Sequence, residues 1–209
     1  MYVKNPESIE SKSFAIIEAE MGEKALAFSA EELPIVKRVI HTTADFEYAD
    51  QIRFHPDAIA IIRDALLAGA EIYADTSMIA SGINRKKIKA VSSRVHHFVH
   101  DPDVAIRAEE AGITRSMAGI EKAMKEEAIQ LYAIGNAPTA IYRLQELIEI
   151  TGKKPLAIVG APIGFVGAAE SKEVLMQMGI PYITIEGRKG GSPVVAAIFN
   201  AILKGIDLP

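Results

Sequence analysis

The 209 residues include 23 basic and 27 acidic side chains, a net charge of −4 spread along the chain, so the basic footprint of a nucleic-acid-binding protein is missing. Cysteine is absent, which excludes disulfides, thiolate catalysis and cysteine metal sites and fits a reducing compartment. No apolar run approaches the roughly 20 residues of a membrane span, and the first residues lack the basic, apolar and small-residue order of a secretory signal, so a cytoplasmic protein with no membrane contact is expected.

Residues 1–10 read as a polar lead-in, and Ser11 to Glu20 carries Phe14, Ile16, Ile17 and Ala19 at roughly helical spacing. Ser29-Ala-Glu-Glu32 matches a capping box, in which the hydroxyl caps the first turn and the carboxylate reaches back; it predicts a helix from about Ala30 to His41. Arg38 and His41 are three apart and therefore project from one face near the helix C-terminus, whose negative partial charge favours a protonated imidazole. Thr42 to Tyr48 breaks the pattern, and Gln51 to Phe54 reads as a short strand. A helix over 55–68, with Ala58, Ile59, Ile62, Ala65 and Leu66 on one side, stops at Gly69. Glu71 to Ala74 reads as a strand, Asp75 to Ser77 opens a helical turn that ends at Ser81-Gly82, and Val91 to Val99 reads as another strand.

Asp101-Pro102 marks a helix start with proline at its first position, and helices to Ala111 and from Thr114 to about Glu127 flank Gly112. Ala128 to Ile134 is an apolar strand, and Thr139 to Ile150 a helix that Gly152 ends. Leu156 to Val159, apolar on both faces, runs into a loop containing Gly160, Gly164 and Gly167 and then into a helix from Ala168 to Met178. Tyr182 to Ile185 is the last strand, and Pro193 to Leu203 the last helix. Strands alternating with helices predict an α/β fold, a three-layer α/β/α, Rossmann-like arrangement around a mostly parallel sheet. With 49% hydrophobic but only 6% aromatic residues, the core should be aliphatic. No repeat or linker interrupts it, so residues 1–209 are expected to form a single domain.

In such sheets ligands collect at the carboxyl ends of the strands, which makes the glycine loops candidate ligand walls. None of the three loops has the dinucleotide or phosphate-loop spacing, so a nucleotide site is disfavoured. Asp45 and Glu47, two apart, fall on opposite sides of an extended segment and read as solvated loop charges rather than an acid–base pair. His96 and His97 point to opposite faces of a strand, so with His100 they read as structural or exposed histidines and no metal site is expected. His41 stands either as a capping cation beside Arg38 or as a general acid, since imidazole titrates near neutral pH. Arg115 begins a helix whose exposed amides attract anions, and is either a carboxylate clamp or a surface arginine.

Taken together, Ser13-Phe-Ala-Ile-Ile17, Arg38-Val-Ile-His41, Gly112-Ile-Thr-Arg-Ser116, Ile134-Gly-Asn-Ala-Pro-Thr-Ala140, Gly160-Ala-Pro-Ile-Gly-Phe-Val-Gly-Ala-Ala-Glu-Ser-Lys172 and Gly187-Arg-Lys-Gly-Gly-Ser192 resemble the precorrin-8X methylmutase family, including its cobalt-precorrin-8 form, over nearly the whole chain. The resemblance implies an isomerase of cobalamin biosynthesis that moves a methyl group from C-11 to C-12 of ring C of a polycarboxylated corrinoid, with no redox cofactor and no external methyl donor. It assigns His41 as the catalytic proton or hydrogen-bond donor to ring C, and Ser13, Arg38 and Arg115 as substrate contacts. It also implies a homodimer with the site near the subunit junction. The chain departs from the family at Thr42-Thr-Ala44, where members often carry Ala-Cys-Gly. The rival reading is a carrier that holds a corrinoid intermediate without chemistry.

Overall fold

The computed structural model describes residues 5–206. In chain order the elements are helices α1 (Pro6–Met21) and α2 (Glu32–Thr43), with a 3₁₀ turn (Gly22–Ala27) between them, the short α3 (Tyr48–Gln51), strand β1 (Ile52–Phe54), α4 (Ala58–Leu67), β2 (Glu71–Ala74), α5 (Ser77–Gly82), α6 (Arg85–Ala90), β3 (Val95–His96), α7 (Pro102–Ala111), α8 (Arg115–Ala123), β4 (Ile129–Ile134), α9 (Pro138–Thr151), β5 (Ala157–Gly160), α10 (Ala168–Gln177), β6 (Tyr182–Ile185) and α11 (Ser192–Lys204). The strands form one sheet in the order β1-β6-β5-β4-β2-β3, parallel throughout except for β1, which pairs antiparallel with β6.

The two-residue period of the strands sorts the core into two layers. Ile72, Ala74, Leu131, Ala133, Ala157 and Val159 pack into a cluster with α2, α4 and α11, while Tyr73, Tyr132, Ile134 and Ile158 pack from the opposite face with α8, α9 and α10. This is the three-layer α/β arrangement that the sequence predicts. It also explains the unbroken apolar runs of β4 and β5, since helices cover both of their faces. Helix α11 lies at the centre of the first layer and packs against α2, α4 and α5; ten of its thirteen residues are buried.

Three segments differ from the sequence reading. The polar lead-in joins the first helix, which starts at Pro6 rather than Ser11, since proline is well placed in a first helical turn. The helix Arg85–Ala90 was not expected; Asn84 caps it by accepting the amides of Lys86 and Lys87 at 3.1 Å each. The strand expected over Val91 to Val99 contracts to Val95–His96, because at the sheet edge only those two residues find partners, Ile72 and Tyr73 of β2. Phe98, apolar and therefore easily read as strand, packs on the Tyr73 ring with centroids 5.8 Å apart.

Four of the five parallel strands, β2, β4, β5 and β6, end on one edge, and their loops are tied together there. Asp75, buried after β2, accepts the amides of Gly135, Asn136 and Ala137 at 2.9–3.0 Å. The Thr76 and Ser192 hydroxyls meet at 2.9 Å, and the Gly191 amide donates to Ala161 at 2.8 Å. Gly190 has φ +149°, and a Cβ there would lie 2.2 Å from the Ala161 carbonyl oxygen, so this crossing admits only glycine. Burial pushes the Asp75 carboxyl up while its three amide donors pull it down. Asp75→Ala leaves those amides without their acceptor and is expected to cost about 3 kcal/mol in a denaturant titration; a loss below about 0.5 kcal/mol, the range of an ordinary surface change, would show that water replaces the carboxylate freely.

Candidate active site

Helix α2 is fixed at both ends by local chemistry. At the start, Ser29 and Glu32 form the expected reciprocal capping pair, the Glu32 amide donating to Ser29 Oγ at 3.2 Å and the Ser29 amide to Glu32 Oε2 at 2.9 Å. At the end, Ala44 turns left-handed, with φ +53°, and returns its amide to Ile40 at 2.7 Å. That stop leaves His41 in the last turn, exposed and facing α1.

Across this seam Ser13 Oγ lies 2.8 Å from His41 Nδ1. The Phe14 ring meets the imidazole edge-on with centroids 5.4 Å apart. With Nδ1 held by the hydroxyl, Nε2 is the ring nitrogen with no hydrogen-bond partner among the described residues, free to present a proton to a ligand. The pair opens on a cavity of about 530 Å³. Ile9, Ile16, Ile17, Ile40 and Phe46 give it an apolar lining, and Lys12 and Glu20 stand in the same wall. A volume of this size suits a large organic ligand held by apolar contact with a few polar groups fixing its orientation.

The structure brings Ser13 and His41 together but places the two arginines elsewhere. Arg38, one turn before His41, is paired with Glu10 and lies over the Phe14 ring, 4.7 Å from its centroid. Glu10 also takes Lys204 at 2.8 Å, and these two cations, Lys204 foremost, hold its carboxyl below the usual range. Arg115 is exposed at the first turn of α8 and is not among the residues that line the His41 cavity; Thr114 beside it bonds Thr139 of α9 at 3.1 Å, which sets Arg115 on the carboxyl edge of the sheet.

The sequence reading missed two lysines in this region. Asp45 and Glu47 are not independent solvated charges: both carboxylates pair with the Lys189 ammonium, Glu47 at 2.7 Å. They converge because the segment is turned rather than extended, with Asp45 accepting the Glu47 amide at 2.9 Å. The two carboxylates raise the Lys189 ammonium well above its usual value and hold Asp45 low. Lys172 of α10 is wholly buried and donates to the Lys189 carbonyl oxygen at 2.7 Å; burial lowers it to about 8. The two lysines thus bind the 187–191 loop to α10 on one side and to the end of the His41 helix on the other. No sequence signal distinguishes Lys172 from a surface lysine on an amphipathic helix. His96 Nε2 donates to Glu71 Oε2 at 2.7 Å, as a structural pair at the sheet edge.

A three-layer α/β fold with a histidine–serine pair at the mouth of an apolar cavity defines an α/β protein with a candidate site for a large organic ligand. Residues 8–205 match the family model CbiC, precorrin-8X methylmutase. The chain is 44% identical to cobalt-precorrin-8 methylmutase of Salmonella typhimurium over 97% of this chain and 96% of that protein. It is 40% identical to precorrin-8X methylmutase of Pseudomonas aeruginosa over 96% of each. The solved precorrin-8X methyl mutase from Thermus thermophilus superposes with a TM-score of 0.87 at 36% identity, covering 95% of both chains. The chain belongs to the precorrin-8X methylmutase family.

Proposed function

We propose that this chain, as one methylmutase domain, isomerises a precorrin-8-type corrinoid in cobalamin biosynthesis, moving the methyl group on ring C from C-11 to C-12. The observation that carries the reading is the Ser13–His41 pair, 2.8 Å apart at an apolar cavity of about 530 Å³ in a chain of this family. The bond from C-11 to the methyl carbon breaks as the bond to C-12 forms, so neither an acceptor nor a donor outside the ring is required. What the protein supplies is polarisation. Ser13 fixes the imidazole through Nδ1, and Nε2 delivers a proton or a strong hydrogen bond to ring C, drawing electron density toward that ring and lowering the barrier to the shift. Arg38 and Arg115 belong to the reading as carboxylate contacts; for Arg38 this means exchanging Glu10 for a substrate carboxylate.

A homodimer is part of the same proposal. Phe165 and Val166, 85% and 91% exposed on the loop after β5, give a second copy apolar surface to cover. A cytoplasmic location is likewise proposed: no helix among the described residues is long and apolar enough to cross a membrane, and the chain has no cysteine. The test is incubation of the purified protein with metal-free and with cobalt-containing precorrin-8, read by absorbance. Conversion of either form supports the reading and names the substrate; a bound but unchanged spectrum with both would make the protein a carrier instead.

A further inference from the structure

We propose that Lys12 binds a carboxylate arm of the macrocycle next to its reacting ring, and that Glu20, at the far end of the same helix face, repels carboxylates and so fixes which way round the ring enters. The inference rests on the methylmutase reading above. Residues 9, 12, 13, 16, 17 and 20 recur at three- and four-residue steps, the spacing of one helix face, and all six line the His41 cavity. The face is isoleucine through its middle and charged only at Lys12 and Glu20. Lys12 is adjacent to Ser13 and so lies at the His41 end; Glu20 lies eight residues on, a rise of about 12 Å. The cavity therefore has a cationic end where the chemistry occurs and an anionic end away from it.

Arg38 does not supply that cation while Glu10 holds it, and Glu10 is itself shared with Lys204. Lys12, by contrast, has no carboxylate within 4.0 Å among the described residues, and neither does Glu20 have a cation. A lysine on a flexible stem tracks a carboxylate without demanding a fixed geometry. A flat apolar ring covering the isoleucines would lower the local dielectric and strengthen both the attraction at Lys12 and the repulsion at Glu20.

The test is steady-state kinetics on precorrin-8. Lys12→Met is expected to raise KM roughly five- to tenfold, the size of one charge-assisted contact at a partly exposed site, with kcat held within about twofold. Lys12→Arg should restore KM. Glu20→Gln should lower kcat and KM together, because a ring bound the wrong way round occupies the cavity unproductively; a wild-type kcat and KM in that variant would remove Glu20 from the assignment. Added salt should raise the wild-type KM and hardly alter that of the Lys12→Met protein. A wild-type KM in Lys12→Met, a fall confined to kcat, or a rise in KM in Glu20→Gln matching that of Lys12→Met would each overturn the assignment. If the wild-type protein converts precorrin-8, His41→Ala does not, and Lys12→Met behaves as wild type, the Lys12 role fails alone; if the wild type converts nothing, it falls together with the methylmutase reading.

Discussion

His41→Ala should lower the rate of methyl migration by about 10²–10⁴-fold, the range that a positioned general acid contributes. The variant should keep its fold, because the side chain is exposed and, among the described residues, hydrogen-bonds only Ser13, so the change in stability is expected to stay near 0.5 kcal/mol. Binding should also survive, since the isoleucine lining of the cavity is untouched. Two further variants resolve the role. His41→Asn retains a hydrogen-bond donor without a transferable proton, and substantial activity in it would favour polarisation over proton transfer. Ser13→Ala releases Nδ1 and should cost less than the loss of the ring itself. The measurement is the absorbance change from precorrin-8 to product under single-turnover conditions; a wild-type rate in His41→Ala would remove this residue from the mechanism.

Lys172→Met should separate stability from activity. Burial lowers the Lys172 ammonium from its usual 10.5 to about 8, and among the described residues no carboxylate pairs with it: it donates to the Lys189 carbonyl. A lysine depressed in the folded state binds its proton less tightly there than in the unfolded chain. Below pH 8 both states are protonated and the burial penalty is fully present; as pH rises from 8 toward 10.5 the folded state sheds its proton first and stability increases, by about 3 kcal/mol over the whole interval. In Lys172→Met that rise should vanish. At neutral pH the variant should be as stable as the wild type or more so, because methionine fills a similar volume without a buried charge. Turnover, however, should fall, since the 187–191 loop loses its anchor to α10 while still pulling through Lys189 on Asp45 and Glu47 at the end of the His41 helix. Denaturant titrations from pH 7 to pH 10.5 measure the first effect; if wild type and variant show the same slope with pH, Lys172 does not titrate in that window.

The sequence carried the architecture further than it carried the site. The alternation of apolar strands with capped helices, the glycine stops at 69, 112 and 152, and the Ser29–Glu32 capping box are all local signals, and each has its counterpart in the structure. The failures were local signals overridden by neighbours. Val91 to Val99 has strand composition, but an edge strand extends only as far as its backbone pairs with its neighbour, and only Ile72 and Tyr73 of β2 pair with it. Asp45 and Glu47 look like independent charges until a left-handed Ala44 and the turn after it carry both to one ammonium 142 or more residues away in sequence.

By itself the sequence determined the α/β class, the parallel sheet, the capped helix that carries His41 in its last turn, and the family to which those motifs belong, because periodicity, capping and glycine conformations act over a few residues and leave their mark in composition. Only the tertiary structure decided that Ser13 is the hydroxyl holding His41, that Glu10 occupies Arg38, that Lys12 and Glu20 stand at opposite ends of one cavity wall, and that Lys172 is buried. Such pairings join segments distant in sequence, and a side chain's partner and its dielectric surroundings are set by packing, which no spacing along the chain encodes.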